Sequence, residues 1–143
     1  NNNWVELANA YESHNYNIYF LGKDTNLNDK YKEVLQKKSV VSLIGKTNIK
    51  DASYLLALAD LIISNDSGLM HIAASVNSNL ISIFGSSSPF YTPPLMKENL
   101  GEVIYKALEC SPCFKRECPL IHLNCLNSIS VDEILKKSMK YLN

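Results

Sequence analysis

Between Leu61 and Leu95 the chain reads LIISNDSGLMHIAASVNSNLISIFGSSSPFYTPPL, and the order of residue types there constrains the fold more than any other feature. Leu61-Ile62-Ile63 is short and β-branched, as a strand buried on both faces is. It stops at Ser64-Asn65-Asp66-Ser67-Gly68, which sets polar side chains and a glycine at the strand's carboxyl end. From Leu69 to Val76 the apolar residues Leu69, Ile72, Ala73 and Val76 recur at helical spacing. A second buried run, Leu80 to Phe84, then ends in Gly85-Ser86-Ser87-Ser88. Two polar turns at adjacent strand ends gather hydroxyls, backbone N–H groups and a helix N-terminus around one crevice. In an open parallel sheet such a crevice receives ligands, and anionic ones are favoured there.

The rest of the chain continues the alternation. A helix is expected from Val5 to about Tyr11, a strand over Asn17–Leu21 ending at Gly22, and a polar turn from Lys23 to Asp29. Tyr31, Val34 and Leu35 predict a helix near Tyr31 to Lys37, and Val40 to Leu43 a short strand. Asn48-Ile49-Lys50-Asp51 has the form of a capping box, opening a helix that buries Ile49, Ala52, Leu55, Leu56 and Ala59. Glu102 to Lys106 reads as a last strand. Ser130-Val131-Asp132-Glu133 opens a final helix with Val131, Ile134, Leu135, Met139 and Leu142 as its stripe. Strands alternating with helices predict an α/β fold, a Rossmann-like parallel sheet with helices on both faces.

A chain of 143 residues suggests one domain with a real core, and 46% apolar content fits a globular protein. Fourteen basic residues balance fourteen acidic ones, so no charge excess argues for nucleic acid or an anionic membrane. The longest apolar runs are too short to span a bilayer. Asn1-Asn2-Asn3-Trp4 has neither the basic start nor the apolar stretch of a signal peptide. The expected location is the cytoplasm. The chain opens without Met and reads as a fragment.

Several residues could carry chemistry. Asp66 is the expected N-cap of the helix that follows, a role that accounts for it without a ligand. Ser67 and Gly68 fall in the first turn. A glycine there allows either a diphosphate or a neighbouring element to approach the backbone closely. His71, four residues after Ser67, shares its side of the helix and could donate to a phosphate or ribose oxygen. Met70 reads as core filling. Lys46 and Thr47 follow Gly45 at a strand end, where a lysine could pair with phosphate or simply be solvated. Gly85 to Ser88 could supply N–H donors, and Pro93-Pro94 stiffens the next loop. Cys110, Cys113, Cys118 and Cys125 have the spacing x2, x4, x6, which could hold a zinc ion or an iron–sulfur cluster or oxidise to disulfides. A metal is the lesser reading, and none is expected at the ligand site.

These residues also carry a resemblance. Asn65 to His71, Phe84 to Pro89 and Thr92-Pro93-Pro94-Leu95 together resemble the family 9 glycosyltransferases, the heptosyltransferases of lipopolysaccharide core assembly. More weakly, Trp4 to Ala8 looks like the helix opening the family's second half. Gly45-Lys46-Thr47 looks like its nucleotide-contacting loop, and Cys110 to Cys113 with Cys118-Pro119 resembles a cysteine block of many members. The resemblance implies the C-terminal, donor-binding half of a GT-B glycosyltransferase, residues 1–143, without the N-terminal acceptor domain. It implies ADP-heptose as donor, the lipopolysaccharide core as acceptor through that other domain, inversion at the transferred sugar, no required cofactor, and at most peripheral contact with the cytoplasmic face of the inner membrane. The donor-binding residues would be Lys46, Thr47, Asp66, Ser67, Gly68 and His71. The general base would lie in the other domain, so no catalytic residue is expected here and the isolated chain is expected to be inactive. An acidic residue, Asp24 or Asp29, would bind ribose, and the sequence does not choose between them. Two alternatives stand beside this reading: a GT-B transferase using another nucleotide sugar, and a non-enzymatic nucleotide-binding module. Against the module, neither GxGxxG nor a P-loop is present. A third, an interaction domain stapled by metal at the cysteine block, is decided by a metal assay.

Overall fold

A computed structural model describes residues 3–142. Its contacts form two compact units, Asn1–Ala52 and Ser53–Asn143, and each is taken by itself.

In the first unit, helix α1 (Asn3–Ser13) buries Leu7, Ala8 and Tyr11. Strands β1 (Ile18–Phe20) and β2 (Val40–Ser42) pair in parallel, with Ile18 opposite Val40 and Phe20 opposite Ser42. Between them the expected polar turn is instead helix α2 (Asn26–Lys30), and the helix expected at Tyr31 to Lys37 is only a 3₁₀ turn, Val34–Gln36. The cause is Asp24. Its carboxylate accepts the Asn26 backbone N–H at 3.1 Å and the Asn26 side-chain amide at 2.9 Å, so the chain coils at once. The apolar spacing still serves the core: Tyr31 and Val34 are buried with Ala8, Val40 and Ile44. The boundary between the units falls within helix α3 (Ile49–Leu58), where the Asp51 N–H donates to the Asn48 side-chain oxygen at 2.9 Å. Ile49, expected in the core, is 68% exposed, because position one of that helix faces water while Ala52 is buried.

The second unit is built on strands β3 (Ile62–Asn65), β4 (Leu80–Phe84) and β5 (Gly101–Tyr105), paired in parallel in that order. Helix α4 (Gly68–Ser75) crosses from β3 to β4, whereas residues 85–100 return to β5 without a helix. All five residues of β4 are buried, as the central strand of a parallel sheet requires. β3 is only partly covered beyond Ile62, so burial on both faces belongs to β4 and not to β3. Leu56, Ile62, Met70, Ala73, Ala74, Leu80 and Phe84 form the core. Each large side chain fully buried there contributes about 1.5–3 kcal/mol. A short helix α5 (Asn124–Asn127) precedes α6 (Val131–Ser138), whose N-cap Ser130 accepts the Glu133 N–H at 3.1 Å.

Helix α6 and the turn after it are fastened to β5 by charge. The Glu102 carboxylate takes the Lys137 ammonium at 2.6 Å and also pairs with Lys140. Those bonds, Lys137 foremost, hold the Glu102 carboxyl below the usual carboxylate range. A lowered value means stabilisation that is complete above the ordinary range and lost as pH falls through the lowered one. Glu102→Gln is therefore expected to cost roughly 1 kcal/mol near neutrality, since Lys137 is partly solvated. In urea unfolding the difference from the parent should shrink towards zero as the solution is made strongly acidic. A difference that stays constant with pH would refute the ion pair.

Candidate functional site

The strands of the second unit are parallel, so β3 and β4 end on the same side. Asn65 stands opposite Ile83, and beyond it the Asp66 N–H still donates to the Ile83 carbonyl at 3.0 Å. The chain is thus pinned to β4 while it leaves the sheet. It turns at Ser67, whose extended backbone (φ −160°, ψ 167°) makes it the N-cap of α4, and the Ser67 hydroxyl accepts the Met70 N–H at 3.4 Å. The expected cap, Asp66, is displaced from that role by its neighbour. Its carboxylate is left half-buried, with Oδ1 4.0 Å from His71 Nε2. Ser64, which the sequence reading did not single out, joins the turn: its hydroxyl donates to the Asn65 carbonyl at 2.9 Å and lies 3.3 Å from Ser67 Oγ. Only the polar interruption at the end of an apolar strand signalled it.

Gly68 opens α4 with nothing within 4 Å of the position a Cβ would take. Tight packing is therefore not why glycine stands there. His71 is exposed one turn further along, and Met70 is wholly buried, as a core residue. Asp66, Ser67, Gly68 and His71 are thus gathered at one helix N-terminus, where the dipole and first-turn N–H groups favour an anion. Beside them lies the loop leaving β4. Ser88 is buried and committed to that loop: its hydroxyl accepts the Phe90 N–H at 3.2 Å, and its carbonyl accepts those of Tyr91 and Thr92, each at 3.2 Å. Ser86 and Ser87 stay half-exposed.

Lys46 and Thr47 belong to the first unit. Gly45 is held at φ 74° with its N–H on the Gly22 carbonyl at 2.8 Å, and a Cβ would meet Thr25 Cγ2 at 2.6 Å. Glycine is required there by backbone and space together. Lys46 is exposed and bends back to the Ser42 carbonyl at 3.0 Å, and Thr47 is half-buried. Asp24 is spent on the local turn, and Asp29 lies within α2.

The four cysteines are free and half-buried. Burial, with the neighbouring thiols of Cys113, Cys118 and Cys110, pushes the Cys125 thiol up. Among the described residues no three His, Cys, Asp or Glu side chains stand as a metal-holding group.

A parallel α/β unit with a capped helix N-terminus and a second loop at the next strand end has the form of an open sheet whose crevice lies at the carboxyl ends of its strands. Residues 1–124 match glycosyltransferase family 9 (heptosyltransferase). The chain belongs to that family. It is 31% identical over 137 residues to lipooligosaccharide heptosyltransferase 2 of Campylobacter jejuni subsp. jejuni serotype O:2, covering 94% of this chain and 43% of that protein. It is 39% identical over 97 residues to lipooligosaccharide heptosyltransferase 2 of Haemophilus influenzae, covering 64% of this chain and 28% of that one. It superposes on ADP-heptose lps heptosyltransferase II of E. coli with a TM-score of 0.78 at 28% identity, over 98% of this chain and 40% of the other. The chain therefore spans about two-fifths of the length of these relatives or less.

Proposed function

We propose that this chain is the donor-binding half of an inverting heptosyltransferase, moving heptose from ADP-heptose to the lipopolysaccharide inner core. The observation that carries the reading is the open space in front of Gly68, at a capped helix N-terminus flanked by Ser67, Asp66 and His71. The donor's diphosphate would dock there. Lys46 and Thr47 would meet the nucleotide. Attack of an acceptor hydroxyl on the anomeric carbon forms the new C–O bond as the bond to the diphosphate breaks. The hydroxyl proton passes to a base in the acceptor-binding domain, outside this chain. The charge growing on ADP is offset by the helix dipole, first-turn N–H groups and His71, which act on the leaving group without needing a metal. The proposed location is the cytoplasm, at the face of the membrane where such an acceptor is built. Among the described residues no helix is long and apolar enough to cross that membrane.

Two-dimensional NMR with ADP and UDP in parallel tests the donor. ADP should shift the amides of Lys46, Thr47 and Asp66 to His71, and UDP should do so far less. Equal responses would reopen the choice of nucleotide sugar, and no response would count against a nucleotide site. His71→Ala should weaken ADP about fivefold, the scale of one partly exposed charge-assisted bond, with the melting temperature unchanged. Affinity equal to the parent would remove His71 from the site.

A further inference from the structure

Gly85 meets two stretches of chain that are far from it in sequence. Its carbonyl accepts the Ser111 hydroxyl at 2.7 Å, and the Leu126 side chain lies against it, where a Cβ would meet Leu126 Cδ2 and Cγ at 2.8 Å. The next carbonyl, at Ser86, accepts the Phe114 N–H at 2.7 Å. Phe114, which follows Cys113, and Leu126, which follows Cys125, are thus fastened to consecutive residues of the loop leaving β4. The segment between them is poorly held. Among the described residues, 115–120 donate no backbone hydrogen bond. Phe114 (φ 53°), Ile121 (φ 64°) and Leu123 (φ 51°) lie in the left-handed region, and all three are exposed. For bulky side chains such backbone persists only where the surroundings hold it. An irregular stretch of this length inside a folded unit is usually functional.

The four thiols of this region are free and half-buried. They act on one another: after burial, Cys113 is the foremost influence keeping the Cys125 thiol above its ordinary value, ahead of Cys118 and Cys110. Yet no three of them converge as the ligands of a metal ion would. Thiols gathered without a tetrahedral focus suit a bond between two sulfurs. Half-burial leaves them within reach of a small oxidant.

We propose that Cys113 and Cys125 form a redox-modification site, joined as a disulfide by a peroxide. Cys113 is the first nucleophile, because Cys125 holds its proton more firmly than an ordinary thiol. The Cys113 thiolate attacks one peroxide oxygen, the O–O bond breaks, and hydroxide leaves and takes up a proton as water. Cys113 is then a sulfenic acid. The Cys125 sulfur displaces the sulfenic hydroxyl as the S–S bond forms, and the Cys125 proton leaves with that hydroxyl as a second water. Two thiols and one hydrogen peroxide thus give one disulfide and two waters, with two electrons passing from sulfur to oxygen. The bond closes residues 113–125 into a covalent ring that contains the left-handed turns at Phe114, Ile121 and Leu123. Both ends of that ring sit on the loop leaving β4. The site does not depend on the transferase reading.

The test treats the full chain with equimolar hydrogen peroxide, alkylates the remaining thiols with iodoacetamide and maps the peptides by mass spectrometry. One pair of peptides joined through Cys113 and Cys125 is expected, with Cys110 and Cys118 alkylated. The melting temperature should rise by about 10 °C, the scale for closing a loop of about a dozen residues, and dithiothreitol should reverse the rise. Cys118→Ser should change neither result, and Cys125→Ser should abolish both. The map is read on the parent chain, so it decides the matter whether or not Cys125→Ser folds. The proposal is overturned if the crosslink joins other cysteines or two chains, if peroxide gives only sulfinic or sulfonic acids, or if the melting temperature does not rise. It is also overturned if metal analysis finds one zinc per chain and only its removal opens the thiols to iodoacetamide.

Discussion

Gly101→Ala is expected to destabilise the second unit by about 3 kcal/mol, at the upper end of what overpacking costs. A Cβ at Gly101 would lie 2.2 Å from the Leu80 carbonyl oxygen, 3.2 Å from its carbon and 2.5 Å from Met96 Sδ. The thioether can swing aside. The carbonyl cannot, because Leu80 is the residue paired with Gly101, and the Leu80 N–H is already tied to the Leu100 carbonyl at 2.8 Å. The added methyl therefore presses on the backbone of the most buried strand, and relief means parting β4 from β5. Urea unfolding followed by circular dichroism should show the midpoint fall, and the melting temperature should drop by roughly 10 °C. An unchanged midpoint would refute the register drawn between these strands.

What the sequence discloses about this fold divides along a physical line. β4 was legible because Leu80 to Phe84 is apolar except at Ser82, and such a run marks the central strand of a parallel sheet. The final helix was legible because Ser130 caps it through a local bond, to the Glu133 N–H at 3.1 Å. The other half of that capping box is missing: the Glu133 carboxylate goes to Lys106 Nζ at 2.8 and 3.0 Å, a partner far along the chain. The same competition misled the reading around Asp24, where a carboxylate accepting the Asn26 N–H outweighed apolar spacing. Two good capping residues stand side by side at Asp66 and Ser67, and composition does not choose between them. The extended backbone at Ser67 does, because only there does the hydroxyl face the first turn. The left-handed backbone at Phe114 was invisible for a stricter reason. Its conformation depends on bonds to Ser86 and Gly85, well over twenty residues away, and no local pattern encodes them.

The same contrast makes Gly68 the sharpest probe of the proposed donor site. Gly68→Ala is expected to leave the fold at least as stable as the parent and to weaken ADP at least about tenfold. No left-handed backbone is needed at this position, and a Cβ there meets nothing within 4 Å. Alanine should therefore gain a few tenths to about 1 kcal/mol of stability by limiting the unfolded chain. The methyl would project into the space in front of the α4 N-terminus, which in the proposed reading the diphosphate enters to reach the first-turn N–H groups. Pushing it back lengthens several charge-assisted bonds at once, and a loss of about 1.4 kcal/mol is already tenfold. Calorimetric titration with ADP, paired with a melting curve, separates the possible results. Weaker binding on an equally stable chain would assign the glycine to the ligand. Unchanged affinity on a stable chain would mean that the diphosphate does not dock at this helix, and the donor site would have to be sought elsewhere on the chain.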